Sequence, residues 1–190
     1  MPAEPPRGRG VALYGPPASG KDTITAALTA RDGRYQHFRP LKAGAGRTTG
    51  YRPTTAAALE QLRTAGALIW ETHRYGAVYA IDHAGVTQLL DVDAVPVLHL
   101  AEPAALPALA AAFPGVRWTT VALTCPRDVA RARIEHRRTG DTGARLAAYD
   151  TFQPLPRTDV VIATDALTPS AAADLIAASM GPSGSSHGDR

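Results

Sequence analysis

The segment that most constrains this chain is residues 15–23, with the sequence GPPASGKDT. It matches the pattern Gly-x-x-x-x-Gly-Lys, in which glycines let backbone amides turn toward an anion and the lysine supplies positive charge. The pattern works only between a strand and the first turn of a helix, whose N-terminus also favours negative charge. The apolar residues 11–14 predict that strand, and residues 21–31 predict that helix. We therefore expect a phosphate-binding loop in an α/β fold.

Strand-like and helix-like segments alternate along the rest of the chain. The predicted strands are residues 11–14, 35–39, 67–71, 77–81, 95–100, 117–124 and 160–163, and the predicted helices are residues 21–31, 54–65, 104–113, 127–138 and 170–180. Such alternation is typical of α/β proteins with a mainly parallel sheet. Residues 9–180 are expected to form a single domain, and the polar, Pro-, Gly- and Ser-rich residues 1–8 and 181–190 are expected to be disordered tails.

Composition excludes several classes of protein. The 190 residues contain one cysteine, Cys125, which excludes an internal disulfide framework and a cysteine-based zinc site. The net charge of +3 is too small to indicate a nucleic-acid-binding surface. No apolar run reaches the ~18 residues of a membrane span, and the first ten residues lack the apolar core of a signal peptide. We expect a cytoplasmic protein, monomeric or homodimeric, with small-molecule partners and neither nucleic acid nor membrane.

The residues of the loop have separate expected roles. Lys21 would bridge the β- and γ-phosphates of a bound nucleotide, and a hydroxyl inside the helix would hold Mg²⁺ between them. That hydroxyl is expected from Thr23, because Asp22 occupies the position directly after the lysine where the strict pattern has Ser or Thr. The nucleotide-binding set is predicted to be Gly15, Pro16, Pro17, Ala18, Ser19, Gly20, Lys21, Asp22 and Thr23, together with Arg133.

With this loop, residues 10–180 resemble the guanylate kinase-like P-loop kinases. Trp70-Glu-Thr-His73 followed by Tyr79-Ala-Ile81, and the Asp after the loop lysine, also resemble the ribose 1,5-bisphosphate phosphokinases of that group. The resemblance implies a three-layer α/β fold with a small acceptor-binding lobe and a lid. It also implies ATP and Mg²⁺ as cofactors and an anionic acceptor, either a nucleoside monophosphate such as GMP or a related nucleotide or sugar phosphate.

The resemblance places the acceptor on the Gly-rich, basic segment before the second helix. Guanylate kinases grip the acceptor phosphate there with arginines, and arginine and tyrosine are suited to binding phosphate oxygens. The same family reads the base with a Glu nine residues before a phosphate-binding Tyr, whereas here Glu71 is eight residues before Tyr79 and Trp70 is nine. The predicted acceptor-binding residues are Arg39, Lys42, Arg47, Tyr51, Arg52, Glu71 and Tyr79.

An arginine-rich stretch, RARIEHRRTGDTGARL, predicts the end of one helix, a short Gly-containing loop and a second helix, and it resembles the lid of these kinases. Its arginines are Arg131, Arg133, Arg137, Arg138 and Arg145. Lid arginines neutralise charge on the phosphoryl group in transfer, while a closed lid excludes water. Arg137 and Arg145 are therefore predicted, with Lys21, to be the catalytic residues.

Two questions stay open at this point. Guanylate kinases carry an Asp at the end of the strand that corresponds to residues 95–100. Here Glu102 either takes the acidic role through water or Mg²⁺, or no residue does.

The second question is the class of function. Besides a kinase, the chain could be a non-catalytic guanylate-kinase-like binding module, but the intact Lys21 argues against that alternative. A nucleotide-hydrolysing switch ranks lowest, because no acid on that strand and no water-positioning Gln is found.

Overall fold

A computed structural model describes residues 8–137 and 140–181 of the chain. Its strands are β1 (Gly8–Tyr14), β2 (Tyr35–His37), β3 (Leu41–Gly44), β4 (Arg52–Pro53), β5 (Leu68–Arg74), β6 (Ala77–Asp82), β7 (Val95–Leu100), β8 (Val116–Thr124) and β9 (Val160–Ala163). Its helices are α1 (Lys21–Arg31), α2 (Ala56–Thr64), α3 (His83–Asp91), α4 (Ala105–Ala112), α5 (Arg127–Arg137), α6 (Thr142–Asp150) and α7 (Pro169–Met180). Apart from Gly8 in β1 and Gly181 after α7, the predicted tails lie outside the described residues, as do Arg138 and Thr139.

The main sheet has five strands in the order β2-β7-β1-β8-β9, and every pairing in it is parallel. Its central strand, β1, is apolar and completely buried from residue 11 to 14, as expected for a strand covered on both faces. One face packs against α1 and α7 through Leu28 and Ile176, and the other packs against α3 and α4 through Val86 and Leu109. The predicted three-layer α/β fold with a mainly parallel sheet is confirmed.

A second, smaller sheet has the order β4-β3-β6-β5 and is antiparallel except for the β3–β4 pair. Helix α2 covers it, with Leu59 packed on Ala43 and Ala80. This sheet and α2 form the small lobe that the sequence predicted, whereas α5 and α6, which pack against each other, occupy the position predicted for the lid.

The sequence pattern does not predict three of the described elements, namely β3, β4 and α3. The two strands are only four and two residues long, and they lie within the Gly-rich segment that shows no periodicity. Helix α3 follows β6 without an intervening loop and is capped by Asp82, whose carboxylate accepts from the N–H of Gly85. No helix in the described residues has the length and apolar character required to cross a membrane.

Candidate active site

The loop between β1 and α1 has the backbone geometry that the sequence pattern requires. Gly20, the N-cap of α1, has φ +95°, a conformation that L residues with side chains rarely adopt. At Gly15, an added Cβ would lie 2.6 Å from Ser19 Oγ and 2.7 Å from the Leu123 carbonyl oxygen, so only glycine fits. The first amides of a helix have no partner within the helix, so those of α1 are available to an anion.

Lys21 reaches back across the loop. Its Nζ donates to the carbonyl oxygens of Gly15 at 2.6 Å and Pro16 at 2.9 Å. Burial lowers the pKa of Lys21 from 10.5 to about 8, against the attraction of Asp22, while Arg74 and Arg137 lower it further. Lys21 therefore stays mostly charged at pH 7 but lies close to its point of deprotonation.

The position of Thr23 does not agree with the expectation that its hydroxyl holds Mg²⁺. Thr23 is exposed and does not line the cleft described below, whereas Asp22 does. Consecutive helix residues are about 100° apart around the axis, so the extra residue turns the hydroxyl of Thr23 away. The Asp22 carboxylate lies 3.6 Å from Arg137 Nη2 and 3.7 Å from His99 Nδ1.

A cleft of about 210 Å³ opens between the loop, the second sheet and helices α5 and α6. The predicted site residues that line it are Pro17, Ala18, Ser19, Gly20, Lys21, Asp22, Arg47, Tyr51, Tyr79, Arg137 and Arg145. The rings of Tyr51 and Tyr79 lie 5.2 Å apart, and Lys42 Nζ lies within 6 Å of both ring centres. Residues from three separate regions of the sequence therefore meet at the loop.

Three of the predicted acceptor-binding residues instead hold the surrounding backbone. Buried Lys42 donates to the carbonyl oxygens of Ala45 at 2.7 Å and Arg47 at 2.9 Å. Arg39 donates to the Tyr51 carbonyl, and Arg52 forms an ion pair with the buried Asp82. Because none of the three lines the cleft, we interpret them as residues that shape the segment that carries Arg47 and Tyr51.

Glu71 lies on the side of β5 away from the cleft, where it accepts from Arg63 and His73. The reason is the alternation of side chains along a strand: residues 70, 72 and 74 line the cleft, so residue 71 faces the opposite way. The structure therefore corrects the expectation that Glu71 contacts the acceptor.

The predicted lid contributes two arginines to the cleft. Arg145 donates to Asp141 at 2.7 Å, and its guanidinium lies 4.7 Å from the centre of the Tyr75 ring. Arg137 approaches Asp22. Arg133 lies outside the cleft lining and ties α5 to the loop, because it donates to the carbonyls of Ala18 at 3.2 Å and Thr164 at 2.9 Å.

Several cleft residues are not predicted from the sequence, among them a pair of histidines near the loop. His37 and His99 stack with ring centres 4.4 Å apart, and His99 Nε2 lies 2.7 Å from Thr25 Oγ1. Burial lowers the pKa of His99 well below its ordinary value, and His37 and Lys21 act in the same direction. His99 is therefore neutral at pH 7 and adds no charge to the cleft.

Glu102 and Arg74 are the other cleft residues of note. Glu102 follows β7 of the main sheet and accepts hydrogen bonds from Trp70, Thr72 and Arg74, all on β5 of the second sheet. The alternation of side chains along residues 70–74 could have indicated that the three donors share one face of β5. Their contact with Glu102 joins residues about 30 positions apart, so no local sequence pattern indicates it.

No protein-family model and no curated protein matches the chain. Solved structures do resemble it. A guanylate kinase from Anaplasma phagocytophilum has a TM-score of 0.60 at 14% identity, over 94% of this chain and 89% of its own. A gluconokinase from Sinorhizobium meliloti 1021 has a TM-score of 0.52 at 16% identity, over 93% of each chain. An unliganded sugar kinase from Janibacter sp. HTCC2649 has a TM-score of 0.50 at 14% identity, over 91% of this chain and 94% of its own.

At these low identities the similarity concerns the fold alone. It is consistent with the parallel main sheet and with the position of the loop directly after the central strand of that sheet. The chain has a guanylate kinase-like P-loop kinase fold.

Proposed function

We propose that the protein is an ATP-dependent phosphotransferase that moves the γ-phosphate of ATP to a phosphorylated small molecule. The observation that carries the proposal is one cleft in which Lys21 of the loop meets Arg47 and Tyr51 of the small lobe and Arg137 of α5. A donor and an acceptor phosphate would each find separate cationic groups there, one on the phosphate-binding loop and one on the small lobe.

On the donor side, the first amides of α1 and the Lys21 ammonium group would bind the β- and γ-phosphates. Among the described residues, no group of three or more His, Cys, Asp or Glu side chains could hold a metal ion. Mg²⁺ in kinases is bound through only one or two carboxylates plus the phosphates, and Asp22 supplies such a carboxylate. When bound, Mg²⁺ would neutralise phosphate charge, and Asp22 would hold it instead of Thr23, the residue predicted from the sequence.

On the acceptor side, Arg47 and the hydroxyls of Tyr51 and Tyr79 would bind the acceptor phosphate. Arg47 Nε donates to the Thr49 carbonyl at 3.0 Å, which leaves its terminal nitrogens for the acceptor. The acceptor is a nucleoside monophosphate such as GMP or a sugar phosphate such as ribose 1,5-bisphosphate. A guanine would not meet Glu71, which supports the sugar phosphate as the alternative.

In the transfer step, an acceptor oxygen forms a bond to the γ-phosphorus as the bond to the β,γ-bridging oxygen breaks. An acceptor phosphate is already ionised, so the protein needs no general base. Most of the catalysis would come from positioning and charge neutralisation. Arg137 and Arg145 would neutralise the phosphoryl group, and α5 and α6 would keep water from it.

The test is an acceptor screen in which ADP release by the purified protein is measured with ATP and Mg²⁺. Nucleoside monophosphates and sugar phosphates are supplied one at a time, and the proposal predicts release that depends on one acceptor class. Lys21→Met should abolish it, while Arg63→Met, a matched change of a cation on α2 outside the cleft, should not. ADP release without any acceptor would indicate a hydrolase, and failure to bind ATP would indicate a binding module.

A further inference from the structure

Glu102 is the centre of a hydrogen-bond cluster that joins the two sheets. Its Oε2 accepts from Trp70 Nε1 at 3.1 Å, and its Oε1 accepts from Thr72 Oγ1 and from Arg74 Nε at 3.2 Å and Nη2 at 3.1 Å. All four of these residues line the cleft. The cluster therefore belongs to the wall of the proposed active site.

The number of these bonds restricts what Glu102 can do. Three donor atoms of the protein share Oε1 and one contacts Oε2, so of the roughly four lone-pair sites of an ionised carboxylate only one, on Oε2, remains. A metal ion, or a water molecule that activates a substrate, would have to use that one site. Most of the hydrogen-bonding capacity of Glu102 therefore serves to hold Trp70, Thr72 and Arg74.

This cluster holds Arg74 through only one edge of its guanidinium group. Its Nε and Nη2 form one edge and point at Glu102, while its Nη1 has no partner among the described residues. The side chain retains 27% of its surface exposed and lines the cleft. A guanidinium fixed along one edge presents its remaining N–H groups in a set direction, which favours binding of a phosphate oxygen.

We propose that Arg74 binds the γ-phosphate of the nucleotide and that Glu102 is a positioning residue that holds Arg74 for this contact. The inference rests on the proposed function, since it needs a nucleotide in the cleft. The electrostatics of the site agree with it. Arg74 is among the charges that lower the pKa of Lys21. Arg74 and the lysine that would contact the same phosphate therefore line one cleft and lie within electrostatic reach of each other.

The pair spans the two sheets, since Arg74 ends β5 and Glu102 follows β7. A shift of the second sheet relative to the main sheet would therefore move Arg74 away from the phosphate-binding loop. This geometry makes the γ-phosphate contact dependent on the Glu102 anchor.

The test compares the affinities of the protein for ADP and for AMPPNP, a non-hydrolysable ATP analogue that carries the γ-phosphate, by calorimetry with Mg²⁺. Arg74→Gln should weaken AMPPNP binding about tenfold, as loss of a charge-assisted bond would, and leave ADP binding nearly unchanged. Glu102→Gln should shift the ratio of the two affinities in the same direction by a smaller factor. In the Arg74→Gln background, Glu102→Gln should have no further effect on the ratio, because it acts through Arg74.

Arg63→Gln is the matched control and should leave both affinities unchanged. Equal affinity ratios in Arg74→Gln and the wild type would overturn the inference while the proposed function stands. A wild type that binds neither nucleotide would overturn the proposed function itself. If Arg74→Gln does not fold, Arg74→Lys replaces it, because it loses the two-atom contact with Glu102. It should then weaken AMPPNP selectively by at least about threefold, and an unchanged ratio again overturns the inference.

Discussion

Lys21 gives a prediction in which stability and nucleotide affinity change in opposite directions with pH. Burial lowers the pKa of Lys21 from 10.5 to about 8 in the folded protein. Between these two values the unfolded chain binds more protons than the folded one, so the free energy of unfolding rises with pH. Nucleotide binding requires the protonated ammonium group, so the affinity falls over the same range.

The size of both effects follows from the pKa. Lowering the pKa by this amount costs the folded, charged state about 3 kcal/mol, at about 1.4 kcal/mol for each tenfold change in the proton equilibrium. Between pH 7 and pH 9.5, about 2 kcal/mol of this cost is removed as Lys21 loses its proton. Over the same interval the charged fraction, and with it the affinity for ADP, falls about thirtyfold, because bound phosphates hold the proton on Lys21.

The assay is urea unfolding of the wild type and Lys21→Met at pH 7 and pH 9.5, together with calorimetry of ADP binding. Other groups titrate in this range, so the relevant quantity is the difference in free energy of unfolding between the two proteins. It should move in favour of the wild type by about 2 kcal/mol as the pH rises. A difference that stays constant, or ADP affinity that is unchanged at pH 9.5, would refute the interpretation of Lys21 as a partly buried, phosphate-binding cation.

Three further predictions concern other parts of the molecule. Arg47→Ala should raise KM for the acceptor about tenfold and leave KM for ATP unchanged in steady-state kinetics; an equal rise in both would place this residue on the donor side. Tyr75→Ala removes the ring beside Arg145 and should lower kcat and kcat/KM by a similar factor of about five, whereas preserved kcat would contradict a role of that arginine in transfer. Gly10→Ala would bring Cβ to 2.2 Å from the ring of Trp118, so urea unfolding should show a loss of about 1–3 kcal/mol, and wild-type stability would contradict that packing.

The parts of the fold that sequence pattern predicts are those with local causes. The phosphate-binding loop is continuous in sequence, and each of its positions has its own conformational or charge requirement. Strands β7 and β9 are apolar runs with clear ends, and their predicted bounds, 95–100 and 160–163, agree with the structure. Strands β3 and β4 form only because β6 pairs with β3, a contact between residues more than 30 positions apart, so no local pattern indicates them.

The small-lobe side of the cleft was predicted less well, and for identifiable reasons. Basic residues near one another in sequence, such as Arg52 and Arg47, have different surroundings, because Arg52 pairs with a buried carboxylate whereas Arg47 lines the cleft. Composition cannot distinguish them. The displacement of Glu71 from the cleft, by contrast, follows from strand alternation and could have been predicted from residues 70–74. The hydrogen bonds of Glu102 could not, because their donors come from another sheet.

The most direct test of the central claim follows the phosphate itself. ATP labelled in the γ-phosphate is incubated with the protein, Mg²⁺ and the acceptor that stimulates ADP release, and the products are separated by chromatography. A phosphotransferase predicts that the label moves into a new organic phosphate in equal amount to the ADP formed, with none of this transfer in Lys21→Met. Label recovered only as inorganic phosphate, or retained in ATP, would contradict the claim.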